Sequence, residues 1–295
     1  MIAEFSPTAV AATAVINLGL AVIAGRIAAR LWLSLSNGAA FSPQKSRSVA
    51  ITWLAIAAGA LVLLFDQAAQ LSETTIFAAW DSAVMLASQT FSGQATASIV
   101  VLALVASALC WWRPGLLMVM ICWFAIVTAI RATMGHAGEN GPLSLPVLVE
   151  WAHLVAMSLW VGCVIISGWV VLPALSTARG SEAAVRNYTA RLSTWATVAL
   201  AVIILSGVFN TDRVLTSYSD LLYTSYGNLL LAKIVLVLVA LGLGGLNRIK
   251  GIPALQSDPI DNGRRQFTTI LKIESLVLTA VVLVAAVLTN VSAHG

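Results

Sequence analysis

The side chains best suited to chemistry are three histidines with sulfur and carboxylate donors close to two of them. His136 lies in the run Arg131-Ala-Thr-Met-Gly-His-Ala-Gly-Glu139, between glycines that permit a turn, with Met134 two residues before it. His153 lies in Glu150-Trp-Ala-His-Leu-Val-Ala-Met157. Spacings of three and four place Glu150, His153 and Met157 on one face of a helix. His294 is next to last in the chain. Imidazole and carboxylate suit Cu(II), and thioether and thiol suit Cu(I), so the donor set reads as a candidate copper site. Zinc accepts the nitrogen and oxygen ligands but has less use for methionine. A helix-packing role for His153 is the competing reading.

Four more residues are candidates of a different kind. Lys233 and Glu274 are ionisable groups in apolar runs, where charge is costly; each is either a transport residue or a helix-packing one. Lys233 can snorkel or meet Glu150, Asp212 or Asp220, and Glu274 can meet Arg248 or Lys272. Cys122 and Cys163 fall mid-run and form a possible Cu(I) pathway if they face each other, or are packing residues if they do not. Cys110 completes the three cysteines; with no CxxC spacing, a disulfide framework is not expected.

The elements that position these groups are membrane helices. Of 295 residues, 59% are hydrophobic and 9% charged, with a mean hydropathy of +0.93, too little polar surface for a water-soluble domain. The net charge of +4 carries no basic cluster that would indicate nucleic acid. The start lacks a basic region before its apolar run, so the first span is expected to be retained rather than cleaved. Eight apolar segments approach the roughly 20 residues needed to cross a bilayer. They are Thr8 to Leu33, Val49 to Phe65, Ala95 to Trp112, Leu116 to Met134, Val147 to Leu172, Leu192 to Asn210, Asn228 to Asn247 and Phe267 to Thr289. Together they predict an all-α membrane protein with one polytopic domain over 1–295.

Basic residues favour the cytoplasmic side. With both termini extracytoplasmic, only Arg131, Arg213 and Lys233 of the sixteen basic residues fall in the outer half. All three histidines then share the outer edge. The stretch 74–90 is apolar but short, with Asp81 in its middle. If it crossed, most later basic residues would face outward, so it is expected to be an interfacial or re-entrant helix.

The histidine segments resemble the copper resistance D family, whose members carry Gly-His-Ala followed by a helix reading His-Leu-x-Ala-x-x-x-Trp-x-Gly-Gly. The matching residues are Gly135-His136-Ala137, then His153, Leu154, Ala156, Trp160 and Gly162. Tyr226, Gly227, Leu230 or its neighbours and Lys233 resemble the family's Tyr-Gly-x-x-Leu-x-x-Lys helix, with Asn247 near its end, and Glu274 occupies the place of a family glutamate. The resemblance is best over about 134–289. Cys163 stands where a second glycine is usual, and the tail around His294 differs from the family's, so His294 is a candidate by position alone.

The resemblance implies a bacterial inner-membrane protein that handles copper, is usually taken to move it from periplasm to cytoplasm, and often works beside a small periplasmic copper-binding protein. It implies no enzyme. A membrane cytochrome with bis-histidine haem ligation and a metal-free transporter or accessory subunit are the rival readings. The chain has no P-loop to use ATP.

Overall fold

The computed structural model describes residues 6–34, 47–113, 116–177, 182–214, 220–255 and 260–291. These residues form helices α1 (Pro7–Ser34), α2 (Ser48–Ser72), α3 (Trp80–Gln89), α4 (Phe91–Trp112), α5 (Leu117–Ala132) and α6 (Leu145–Ile166). They continue with α7 (Leu172–Thr177), α8 (Glu182–Val214), α9 (Asp220–Tyr223), α10 (Ser225–Leu246), α11 (Ile252–Ala254) and α12 (Ile260–Thr289). Seven of the described helical segments are long and apolar enough to cross a membrane. The eighth expected span, α5, is a 16-residue helix of about 24 Å. It stops short of the expected Met134 because the chain turns at Thr133 to Gly135, where Gly135 takes φ +78. A left-handed backbone of that kind favours glycine.

Side-chain bonds sort the helix ends into two faces. On one face Ser6 donates to Asp66 at 2.7 Å, Asn290 to Thr13 at 3.3 Å, Trp151 to Thr128 at 3.0 Å and Asn210 to Glu150 at 2.7 Å. This face gathers the starts of α1 and α6 and the ends of α2, α5, α8 and α12. At the other, Ser107 donates to the Ala50 carbonyl, and the Arg47 guanidinium lies 4.6 Å from the Trp111 ring centre. The long helices therefore alternate in direction, as the charge distribution requires, and the first face is the one that distribution assigns to the outside.

α3 is ten residues long, about 15 Å, too short to cross. It packs through Ala79 and Ala83 on Ala68 and Ala69 of α2 and leaves Trp80, Val84 and Met85 exposed at the outer end of the bundle. Its length agrees with the expectation that stretch 74–90, as an interfacial or re-entrant element, does not cross.

α1 and α6 approach most closely at Gly25 and Gly162. A Cβ added at Gly25 would collide with the Gly162 carbonyl, and one at Gly162 with the Ala21 carbonyl, so only glycine permits this crossing. Two helices also run on through proline. The turns Ser167–Val171 and Asn247–Gly251 are π-helical and lead into Leu172-Pro173 and Ile252-Pro253. Proline offers no N–H and its ring crowds the carbonyl four residues back; a wider i→i−5 turn absorbs both. Leu172 N–H thus donates to Ser167 and Ile252 N–H to Asn247.

Candidate metal centre

Pro146 in the first turn suits the start of α6, where its missing N–H would have had no helical partner. The helix then carries Glu150, His153 and Met157 inward on the side that faces α8. Two antiparallel pairs join these helices in register. Asn210 donates to Glu150 Oε2 at 2.7 Å, and His153 Nδ1 lies 2.8 Å from Ser206 Oγ.

The second pair fixes the histidine tautomer. Ser206 Oγ also approaches the Val202 carbonyl one turn back and the Ile203 carbonyl at 3.3 Å. A carbonyl can only accept, so the single hydroxyl proton goes to the backbone and Ser206 accepts from His153 Nδ1–H. The imidazole is held with Nε2 unprotonated. A ring nitrogen in that state is a metal ligand, and a hydrogen bond from the other nitrogen is the usual support for one.

Glu150 is further placed in the electrostatic reach of both Arg131 and Lys233, and Lys233 also acts on His153. Of the partners expected for Lys233, Glu150 lies within its electrostatic reach. Tyr226, at the start of α10, borders the same carboxylate.

The other candidates are less closely gathered. His136 opens the 3₁₀ turn His136–Asn140, which packs on α6; Ser144 Oγ donates to the Ala137 carbonyl at 3.4 Å and holds that turn over the helix start. Met134 packs with the core of α1, α2, α4 and α5, and its sulfur takes a contact from Arg131 at 3.7 Å. Met157 is half-buried against the core formed by α1, α6, α8 and α12. His294 lies outside the described residues. Cys122 is exposed on α5, whereas Cys163 is buried in the α1–α6–α8–α12 core, so the structure does not set them face to face as a thiol pathway would need. Among the described residues no three His, Cys, Asp or Glu side chains converge on one point.

Glu274 lies apart from this cluster. It is 3% exposed, within hydrogen-bonding reach of Trp160, and shares a cavity with Arg248 but forms no ion pair among the described residues. Ser206, Asn210 and Arg131 were not anticipated as partners of the site. The signal available was the four-residue step from Ser206 to Asn210 on α8, which mirrors the three-residue step from Glu150 to His153 on α6.

Fold and site define a polytopic α-helical membrane protein with an ionisable cluster just inside one face. Residues 186–288 match the family model described as copper resistance protein D, so the segment from α8 to α12 carries that family's signature and the resemblance read from the sequence holds there. Lys233, Asn247 and Glu274 fall inside the matched range, while His136, His153 and Trp160 precede it. Over 128 residues the chain is 30% identical to the copper transport protein CutJ of Bacillus subtilis (strain 168). The aligned part is 43% of this chain and spans only 23% of that relative's length. No solved structure matches the chain.

Proposed function

We propose that the protein binds copper at its outer face, at His136 and His153 with Met134, Met157 or Glu150, and carries it across the bacterial inner membrane toward the cytoplasm. The observation that carries this reading is the His153–Ser206 bond, which leaves Nε2 of His153 unprotonated, the state in which an imidazole ligates a metal. The matched family and the name of the B. subtilis relative support a copper-related membrane role rather than an enzymatic one. Inward movement has a physical basis: an inside-negative potential favours cation entry by ~2.3 kcal/mol per charge per 100 mV. A small periplasmic copper-binding protein is the natural donor, and no nucleic acid is involved.

The Lys233 ammonium, which acts on His153, opposes a bound cation, and opposes a doubly charged one more than a singly charged one. The site therefore favours Cu(I) over Cu(II). His294 is a further ligand in this reading only through its place after α12, whose outer end lies beside α1.

The test compares bound copper in the purified wild type and the His136→Ala/His153→Ala double variant. Loss of copper from the variant supports the site; equal stoichiometry rejects it. A visible absorption spectrum of the same wild-type sample separates the haem alternative, which predicts a Soret band. A wild type that retains no metal would leave the metal-free transporter.

A further inference from the structure

One face of α6 does not end at the outer cluster. Glu150, His153, Met157, Trp160 and Val164 follow one another at spacings of three and four, so they form a single stripe down the helix. From His153 to Val164 the stripe descends about 16 Å. Its last two members, Trp160 and Val164, line a cavity of about 190 Å³. The space is many times the roughly 10–15 Å³ that admits one water.

α6 and α12 form its floor, with Glu274 on the α12 side, and α8 and α10 form its walls. Among the described residues α8 and α10 do not pack along each other, which leaves the space between them. Gly244 and Gly245 keep the α10 wall low: a Cβ at Gly244 would lie 3.3 Å from Glu274 Oε1, while one at Gly245 would meet nothing. At the inner end Arg248 donates to Thr197 at 2.6 Å and ties the two walls together.

The polar groups in this cavity are underused. Glu274 forms no ion pair among the described residues. Asn247 is 4% exposed; its amide nitrogen donates to the Phe267 carbonyl at 3.3 Å, and its Oδ1 has no hydrogen-bond partner. Among the described residues Glu274 has the Trp160 N–H within reach but no counter-charge, and Asn247 Oδ1 has no donor; a cation satisfies both kinds of buried oxygen. Both are hard oxygen ligands, which hold copper less firmly than imidazole or thioether. Donor strength thus falls inward, from His153 and Met157 on the α6 stripe to Glu274 and Asn247 in the cavity at its inner end.

Resting on the copper reading above, we infer that this cavity is the inner release chamber of the pathway: Glu274 and Asn247 take the copper ion, with water, from the α6 stripe and pass it toward the cytoplasmic end at Arg248. Arg248 opposes backflow into the chamber by its charge, and its bond to Thr197 is the contact that must yield for release.

The experiment uses the full chain in lipid vesicles with an inside-negative potential and external copper ions, together with copper bound by the detergent-purified protein. Glu274→Gln keeps the volume and an acceptor for Trp160 but removes the charge. Gly245→Leu keeps the charge and fills open space in the cavity. Both variants are expected to bind wild-type amounts of copper at the outer face and to lose copper flux by about tenfold or more, because a charge stabilised inside the bilayer has no ready substitute. Wild-type flux in Glu274→Gln overturns the proposal, and so does wild-type flux in Gly245→Leu. A wild-type protein that binds no copper would instead reject the outer-site reading, a result distinct from either.

Discussion

His153 Nδ1 and Ser206 Oγ are 2.8 Å apart, and the hydroxyl proton of Ser206 is committed to its own helix backbone. The imidazole must therefore donate from Nδ1, and its Nε2 lone pair stays available. In many metal sites a carboxylate or carbonyl supplies this support; here it comes from a serine on the antiparallel neighbour.

Ser206→Ala removes that support while leaving the helix and the ligand in place. Copper affinity, measured by competition with a chromophoric chelator, is expected to fall by about 10–100-fold, the usual cost of losing a group that orients a metal-bound histidine. Ser206→Thr, which retains the hydroxyl, is expected to keep most of it. Unchanged affinity in Ser206→Ala would mean that the bond orients nothing that binds metal.

Glu150 lies within electrostatic reach of Arg131 and Lys233, so its removal takes a counter-charge away from both. Glu150→Leu is expected to lower stability by roughly 1–3 kcal/mol, the range for leaving a buried polar partner, here Asn210, without its acceptor, with the lost carboxylate charge adding to it. Thermal unfolding in detergent checks this, and the double variant Glu150→Leu/Lys233→Met should recover the part of the loss due to charge. Failure to recover would show that Lys233 is not the charge being balanced.

Lys233→Met removes the cation that acts on His153. Affinity for both copper oxidation states should rise, and more for Cu(II), since the repulsion scales with ionic charge. The ratio of the two dissociation constants, measured anaerobically for Cu(I), is the readout. A ratio that does not move would remove the electrostatic basis for Cu(I) preference.

Gly162→Ala introduces a Cβ onto the Ala21 carbonyl at the α1–α6 crossing. Overpacking of this kind costs about 1–3 kcal/mol, and more when backbone is what must move. A lower unfolding temperature together with weaker copper binding is expected, because α6 carries both the crossing and the ligands. A wild-type melting curve would show that the two helices can separate at no cost.

The helical architecture could be read from the sequence because hydrophobic length and basic-residue placement act on whole segments. Thr74 to Thr90 was recognised as non-crossing from charge placement, and α3 is indeed too short to cross. The π turns before Pro173 and Pro253 could not be read, since a proline in an apolar run predicts a kink without its form. The stripe Glu150, His153, Met157 follows from helical periodicity alone, but its partners sit on helices distant in sequence. Asn210 is 60 residues from Glu150 and Ser206 is 53 from His153, separations over which no local rule applies. Cys122 and Cys163 show the converse limit: depth along a helix is readable, but the direction each side chain faces depends on packing. The cavity at Glu274 was invisible for the same reason, being a space that four helices leave between them.

X-ray absorption on the copper-loaded protein decides whether His153 is a copper ligand. The multiple-scattering signature of coordinated imidazole is expected in the wild type, reduced or lost in His153→Ala. A copper spectrum with that signature unchanged in His153→Ala, or with oxygen scattering alone in the wild type, would contradict a ligand role for His153.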